Sequence, residues 1–122
     1  MILNTALIKA QKNISMYDLE NIKKRSASPN ETVLTYADAM VLLSIYEKTD
    51  VKVLGWEGWI KYPDGRLGHS SNHQGTVCLS SLSKVSALTL IRSTIIESYR
   101  EWLEDPEVQN AELLFCITTN IY

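Results

Sequence analysis

Little in this sequence belongs to a specialised class of chain. Its 122 residues include only two cysteines, three prolines, five glycines, two histidines and one phenylalanine. So little proline and glycine excludes collagenous and low-complexity chains. Disorder is excluded by composition, since 45% of residues are hydrophobic and 21% charged. Two cysteines cannot make a disulfide framework. No window reaches the roughly 18 uninterrupted apolar residues that a membrane-crossing helix needs. Met1 to Ile8 is apolar but has no basic leader and no small-residue cleavage site, so no secretory signal is expected and the cytoplasm is the expected compartment. GxGxxG, the P-loop, GxSxG, HExxH and CxxC are all missing. Nucleotide-binding, serine-hydrolase and zinc-protease readings therefore lose their usual warrant. No cofactor and no metal is expected.

What is present fits one domain spanning 1–122. A chain of 13.8 kDa buries about two thirds of the surface its extended form would expose, enough for one core without staples. Twelve basic residues against fourteen acidic ones give a net charge of -2, so the positive field of a nucleic-acid binder is absent. That total conceals a gradient. Residues 1–28 hold five bases against two acids, a sum of +3, whereas from residue 97 onward six acids face one base, a sum of -5.

The local patterns predict an α+β fold, a single two-layer domain. Its expected element order is α-α-β-β-β-α-β, with a mostly antiparallel sheet and a long amphipathic helix packed on it. Ser15 with Asp18 predicts a short helix over about 16–25, broken by Ser26-Ala27-Ser28-Pro29-Asn30. Thr35 with Asp38 opens a second helix over about 36–48. Tyr36, Ala39, Met40, Leu43 and Tyr46 share one face of it and Val41, Leu42 and Ile45 the other, so it is expected to be buried nearly all round. Residues 51–61 read as a strand, and Tyr62-Pro63-Asp64-Gly65 as the turn of a hairpin returning through Arg66 to His69. Gly55 and Gly58 predict a bulge or a close backbone approach within that strand. A polar loop over 70–75 and a third strand over about 76–79 follow. The long helix spans about 82–104 from Ser81 or Ser83, with a stripe of Val85, Leu88, Ile91, Ile95, Ile96, Tyr99, Trp102 and Leu103. Pro106 ends it, and 111–119 forms an interior strand. Cys78 and Cys116 lie in two apolar strands, as buried free thiols or as a disulfide between neighbours.

Four groups of residues are candidates for function. His69 and His73, the only histidines, titrate near neutral pH and serve as acid and base, metal pair, partner contact or plain loop residues. Four-residue spacing aligns them only on a helix, which the surrounding glycines oppose. In Trp56-Glu57-Gly58-Trp59 alternation sends Trp56 to one face and Trp59 to the other. Trp59 is then either covered by helices or exposed as a recognition anchor. Arg92, inside the apolar arc of the long helix, is expected to snorkel along its edge or to pair with Glu57 or Asp38. Glu97, Glu101, Glu104, Asp105 and Glu107 gather at the negative end of that helix, where its dipole does not favour acids. A solvated face and an acidic docking surface both account for them.

The outline of this chain, with Gly55-Trp56-Glu57-Gly58-Trp59, His73-Gln74-Gly75-Thr76 and Leu114-Phe115-Cys116-Ile117, resembles the small immunity proteins of bacterial toxin systems, in particular those protecting against contact-dependent growth inhibition. The resemblance implies a protein that does no chemistry. It implies instead that the chain binds a cognate protein toxin, often a basic nuclease domain, and blocks its active site. The surface expected to do so comprises Glu97, Glu101, Glu104, Asp105, Glu107, Trp59, His69 and His73. No nucleic acid and no membrane is expected as a partner, and the chain is expected to be a monomer or weak homodimer. The alternatives are a small enzyme or ligand-binding protein using His69 and His73 near Trp59, and an oligomer subunit whose tryptophan and acidic end are assembly surfaces.

Overall fold

The computed structural model describes residues 19–76 and 82–121. A helix, α1, covers 19–24, followed by β1 (Val33–Leu34), α2 (Tyr36–Glu47), β2 (Val53–Lys61), β3 (Leu67–Thr76), α3 (Lys84–Glu104) and β4 (Glu112–Thr119). The strands form one sheet in the order β1-β4-β2-β3, antiparallel at every pairing. The class is α+β, with three helices and four strands. No helix among the described residues is long and apolar enough to cross a membrane.

The local signals in the sequence account for most element ends. The Thr35 hydroxyl accepts from the Asp38 amide at 3.3 Å and caps α2. Ser83 caps α3 the same way, accepting from the Ser86 amide at 3.1 Å. In the turn after β2, the Gly65 amide donates to the Tyr62 carbonyl at 2.9 Å. Gly65 has φ +90 there, where a side chain would be strained. The N-cap expected at Ser15 and the strand residues beyond Thr76, Cys78 among them, lie outside the described residues.

Alternation along the central strands divides the core into two parts. Trp56, Ile60, Leu113, Phe115 and Ile117 join Leu42, Leu43, Leu88, Ile91, Ile95 and Trp102 in the main cluster under the helices. Val33, Trp59, Leu114 and Cys116 make a second cluster on the opposite face. The Phe115 ring lies at the centre of the first, 5.3 Å from Trp56 and 6.0 Å from Tyr36, which itself stacks on Tyr99 at 4.1 Å. A strand buried on both faces cannot alternate with polar residues, which is why 113–117 is continuously apolar.

Four expectations require correction. Helix α2 buries one stripe, Ala39, Leu42, Leu43 and Tyr46, and leaves Val41 exposed, because only one side of it meets the sheet and α3. The stripe on α3 is also narrower than expected. Ala87, Leu88, Ile91, Ile95 and Trp102 are buried, but Val85 and Leu103 are two-thirds exposed and Ile96 is exposed as well. The segment 70–75 is no loop. It continues β3, its polar side chains reflecting an edge strand with one partner. The remaining strand of the sheet is the two-residue β1, too short to leave a periodic signal; it pairs Val33 with Cys116 and Leu34 with Phe115.

Candidate functional site

The expected irregularity in β2 is real, and it builds the first candidate site. Trp56 pairs with Gly75 and Glu57 with Gln74, but Trp59 pairs with His69, so Ser70 to His73 bulge opposite Gly58. A Cβ on Gly58 would lie 3.0 Å from both the Cβ and the carbonyl oxygen of His73. The glycine therefore lets β3 fold its bulge inward. His73 is carried to the helix side, 7% exposed, with its ring edge-on to Trp102 at 6.0 Å. Its Nδ1 is buried and has no hydrogen-bond partner among the described residues.

There His73 meets the acidic end of α3. Asn72, His73, Glu101, Glu104 and Asp105 line a single concavity of about 330 Å³. Glu107 is not in that lining but holds one of its members, since one carboxylate oxygen accepts from the Ser70 hydroxyl at 2.9 Å and from the Asn72 side-chain amide at 3.1 Å. Those bonds tie the loop after α3 to the bulge, and the Trp102 indole donates to the Ala111 carbonyl at 3.4 Å to hold the far end of that loop. Arg100 pairs with Glu97, and with Glu104 at 3.1 Å. Its hydrogen bond holds the Glu97 carboxyl below the usual carboxylate range. Glu97 thus faces Arg100 rather than the concavity, and Glu101, Asp105 and Glu107 form no ion pair with a lysine or arginine among the described residues.

The two histidines do not share a site. His69 lies on the opposite face, its ring 4.6 Å from Trp59 and its Nδ1 3.5 Å from a Glu57 carboxylate oxygen. This separates the pair expected near Trp59, because the bulge between them reverses the side His73 takes. Trp59 itself is only 9% exposed, not an open anchor, and its indole donates to the same Glu57 oxygen at 3.1 Å. Arg92 meets neither Glu57 nor Asp38. It approaches Glu47 at 3.8 Å, while Asp38 holds Arg25 in a two-pronged pair at 2.9 Å.

Beside Trp59 lies a second cluster that no sequence pattern announces. The thiol of Cys116, a free cysteine, donates to Glu31 at 3.4 Å. Donor atoms of Glu31, Glu57 and Cys116 all lie within 4.8 Å of one another. Burial, then the Glu31 hydrogen bond and the two carboxylates, push the Cys116 thiol up to about 12. No spacing motif predicts this group, since its members come from three places in the chain that only the sheet brings together.

No family model, curated protein or solved structure matches the chain. The two sites must therefore be read from their own chemistry. A second concavity, about 410 Å³ and lined by Lys23, Lys24 and the 26–32 loop, is larger.

Proposed function

We propose that this protein is an immunity-type inhibitor that binds a cationic toxin domain, of the nuclease kind, and occludes its active site. The observation that carries this reading is the concavity where Glu101, Glu104 and Asp105 converge with Asn72 and His73. Its rim is acidic, and a helix C-terminus contributes further negative potential to it. The side chains of Glu101, Glu104 and Asp105 are exposed. A surface that meets the lysines and arginines of a phosphate-binding cleft gains orientation and association rate from such a field. The Glu107 bonds to Ser70 and Asn72 preorganise the rim, which lowers the ordering cost of binding. Trp59 has no part in this surface, since it lies on the other face.

The test uses the protein encoded by the reading frame adjoining this one. Purified wild-type protein is expected to bind it and abolish its activity. Replacing Glu101, Glu104 and Asp105 together with lysine is expected to slow association at least tenfold at low salt, a difference that shrinks as salt rises. Equal association rates for the two proteins at low salt overturn the surface, and full toxin activity in the presence of saturating wild-type protein overturns the function.

A further inference from the structure

We propose that Glu31, Glu57 and Cys116, whose donor atoms converge, form a binding site for a divalent transition-metal ion of the zinc class, with the exposed His69, which contacts Glu57 but stands outside the converging group, turning in as the fourth donor. This site lies on the face opposite the acidic concavity and does not depend on the function proposed above.

The placement of the donors is systematic. Cys116 on β4 pairs directly with Glu57 on β2, and Trp59, two residues on, pairs with His69 on β3. Glu31 stands two residues before Val33, which pairs with Cys116 from the other side. Two residues along a strand is one step on the same face. Glu31, Cys116, Glu57 and His69 therefore follow a diagonal across one face of the sheet, with Cys116 and Glu57 directly paired, His69 one step to one side of them on β3 and Glu31 one step to the other side, just ahead of β1.

The spacings suit a tetrahedral ion. Zinc holds sulfur at about 2.3 Å and oxygen or nitrogen at about 2.0–2.2 Å, so neighbouring donors stand about 3.6 Å apart for sulfur and oxygen and about 3.4 Å for oxygen and nitrogen. Cys116 Sγ stands 3.4 Å from Glu31 Oε2, and His69 Nδ1 3.5 Å from Glu57 Oε1. A hydrogen-bonded thiol and an ion pair also produce such distances, but two isolated contacts do not require all three of Glu31, Glu57 and Cys116 to converge within 4.8 Å.

Charge gives an independent reason. Two carboxylates and a thiol face one another, yet neither Glu31 nor Glu57 forms an ion pair with a lysine or arginine among the described residues. The His69 imidazole and the Trp59 indole are the groups that contact the Glu57 carboxylate. The indole bond also fixes the Glu57 carboxylate, the role that a hydrogen bond behind a metal ligand usually plays. Sulfur and imidazole donors select zinc or cobalt over magnesium or calcium. An ion so held would clamp the two-residue β1 edge to the centre of the sheet.

The probe is cobalt(II), which reports a bound thiolate by a charge-transfer band in the near ultraviolet and tetrahedral geometry by visible bands. Titration of the full chain is expected to give both, saturating at one equivalent and displaced by zinc. Cys78→Ser is expected to keep the spectrum, and Cys116→Ser to lose the charge-transfer band. Glu31→Gln and His69→Ala, both at exposed positions, are each expected to weaken cobalt binding about tenfold or more while leaving the circular dichroism unchanged. They decide the matter if Cys116→Ser does not fold. No saturable band in the wild-type protein, a band that survives Cys116→Ser, or unchanged affinity in both exposed variants overturns the site.

Discussion

The two faces of the sheet use the same strands for different purposes. Neighbouring residues on β4 make the contrast plain. Phe115 faces the helices at the centre of an aromatic group, whereas Leu114 and Cys116 face the other way, into a cluster of four buried side chains bordered by Glu31, Glu57 and His69. The helix-bearing face has enough apolar area to carry the stability of the fold, and its polar residues are pushed to one end, where they ring the acidic concavity. The opposite face has a small apolar patch and places polar and ionisable groups directly beside it. Apolar packing and ionisable groups are separated along one face, and adjacent on the other.

The strongest way to break this comparison is to remove one side chain from each face. Phe115→Ala is expected to lower stability by about 4 kcal/mol, and Leu114→Ala by about 2 kcal/mol. Urea unfolding of both variants measures the difference, and equal losses would mean that the faces share the load. Next comes Gly58, whose missing Cβ admits His73. Gly58→Ala must displace backbone as well as side chain and is expected to cost about 1–3 kcal/mol. It should also shift the His73 ring resonances in NMR spectra, since the bulge is what turns that ring inward.

A smaller effect concerns pH. In metal-free protein with chelator present, the Cys116 thiol titrates near 12 instead of its ordinary value near 9. The folded state then holds a proton that the unfolded chain releases. The thiol's contribution to stability is therefore flat below about pH 9 and falls at up to about 1.4 kcal/mol per pH unit between 9 and 12. Tyr46, raised by burial, adds to the loss in the same direction above its usual value of 10.0. Urea midpoints across this range should flatten in Cys116→Ser relative to the wild type, the Tyr46 contribution remaining. Least of all, Glu101→Lys lies on an exposed turn of α3 and is expected to change stability by no more than about 0.5 kcal/mol. A larger loss would show that the concavity's rim belongs to the folding core.

Local chemistry made much of the fold legible. Thr35 and Ser83 announce helix starts because their hydroxyls can satisfy amides that the first turn leaves unpaired. Pro63-Asp64-Gly65 announces the hairpin through fixed and left-handed backbone angles. The failures have equally physical causes. Residues 70–75 read as a loop because an edge strand needs no apolar alternation. Val33–Leu34 left no period to detect, and the breadth of a helix's apolar arc does not reveal how much of it a neighbour covers. The acidic residues of the candidate site were visible as a charge gradient, but nothing in their spacing linked them to His73.

Local sequence is enough to specify the α+β class, the two long helices and their caps, the tight turn after β2, and the opposite facing of Trp56 and Trp59. All of these follow from interactions within a few residues. Long-range packing sets the rest: that the two histidines lie on opposite faces, that one of them joins Glu101, Glu104 and Asp105, and that Glu31, Glu57 and Cys116 converge. Those outcomes depend on strand order and on a register shift opposite Gly58, and both are set by how distant segments pack rather than by any local preference.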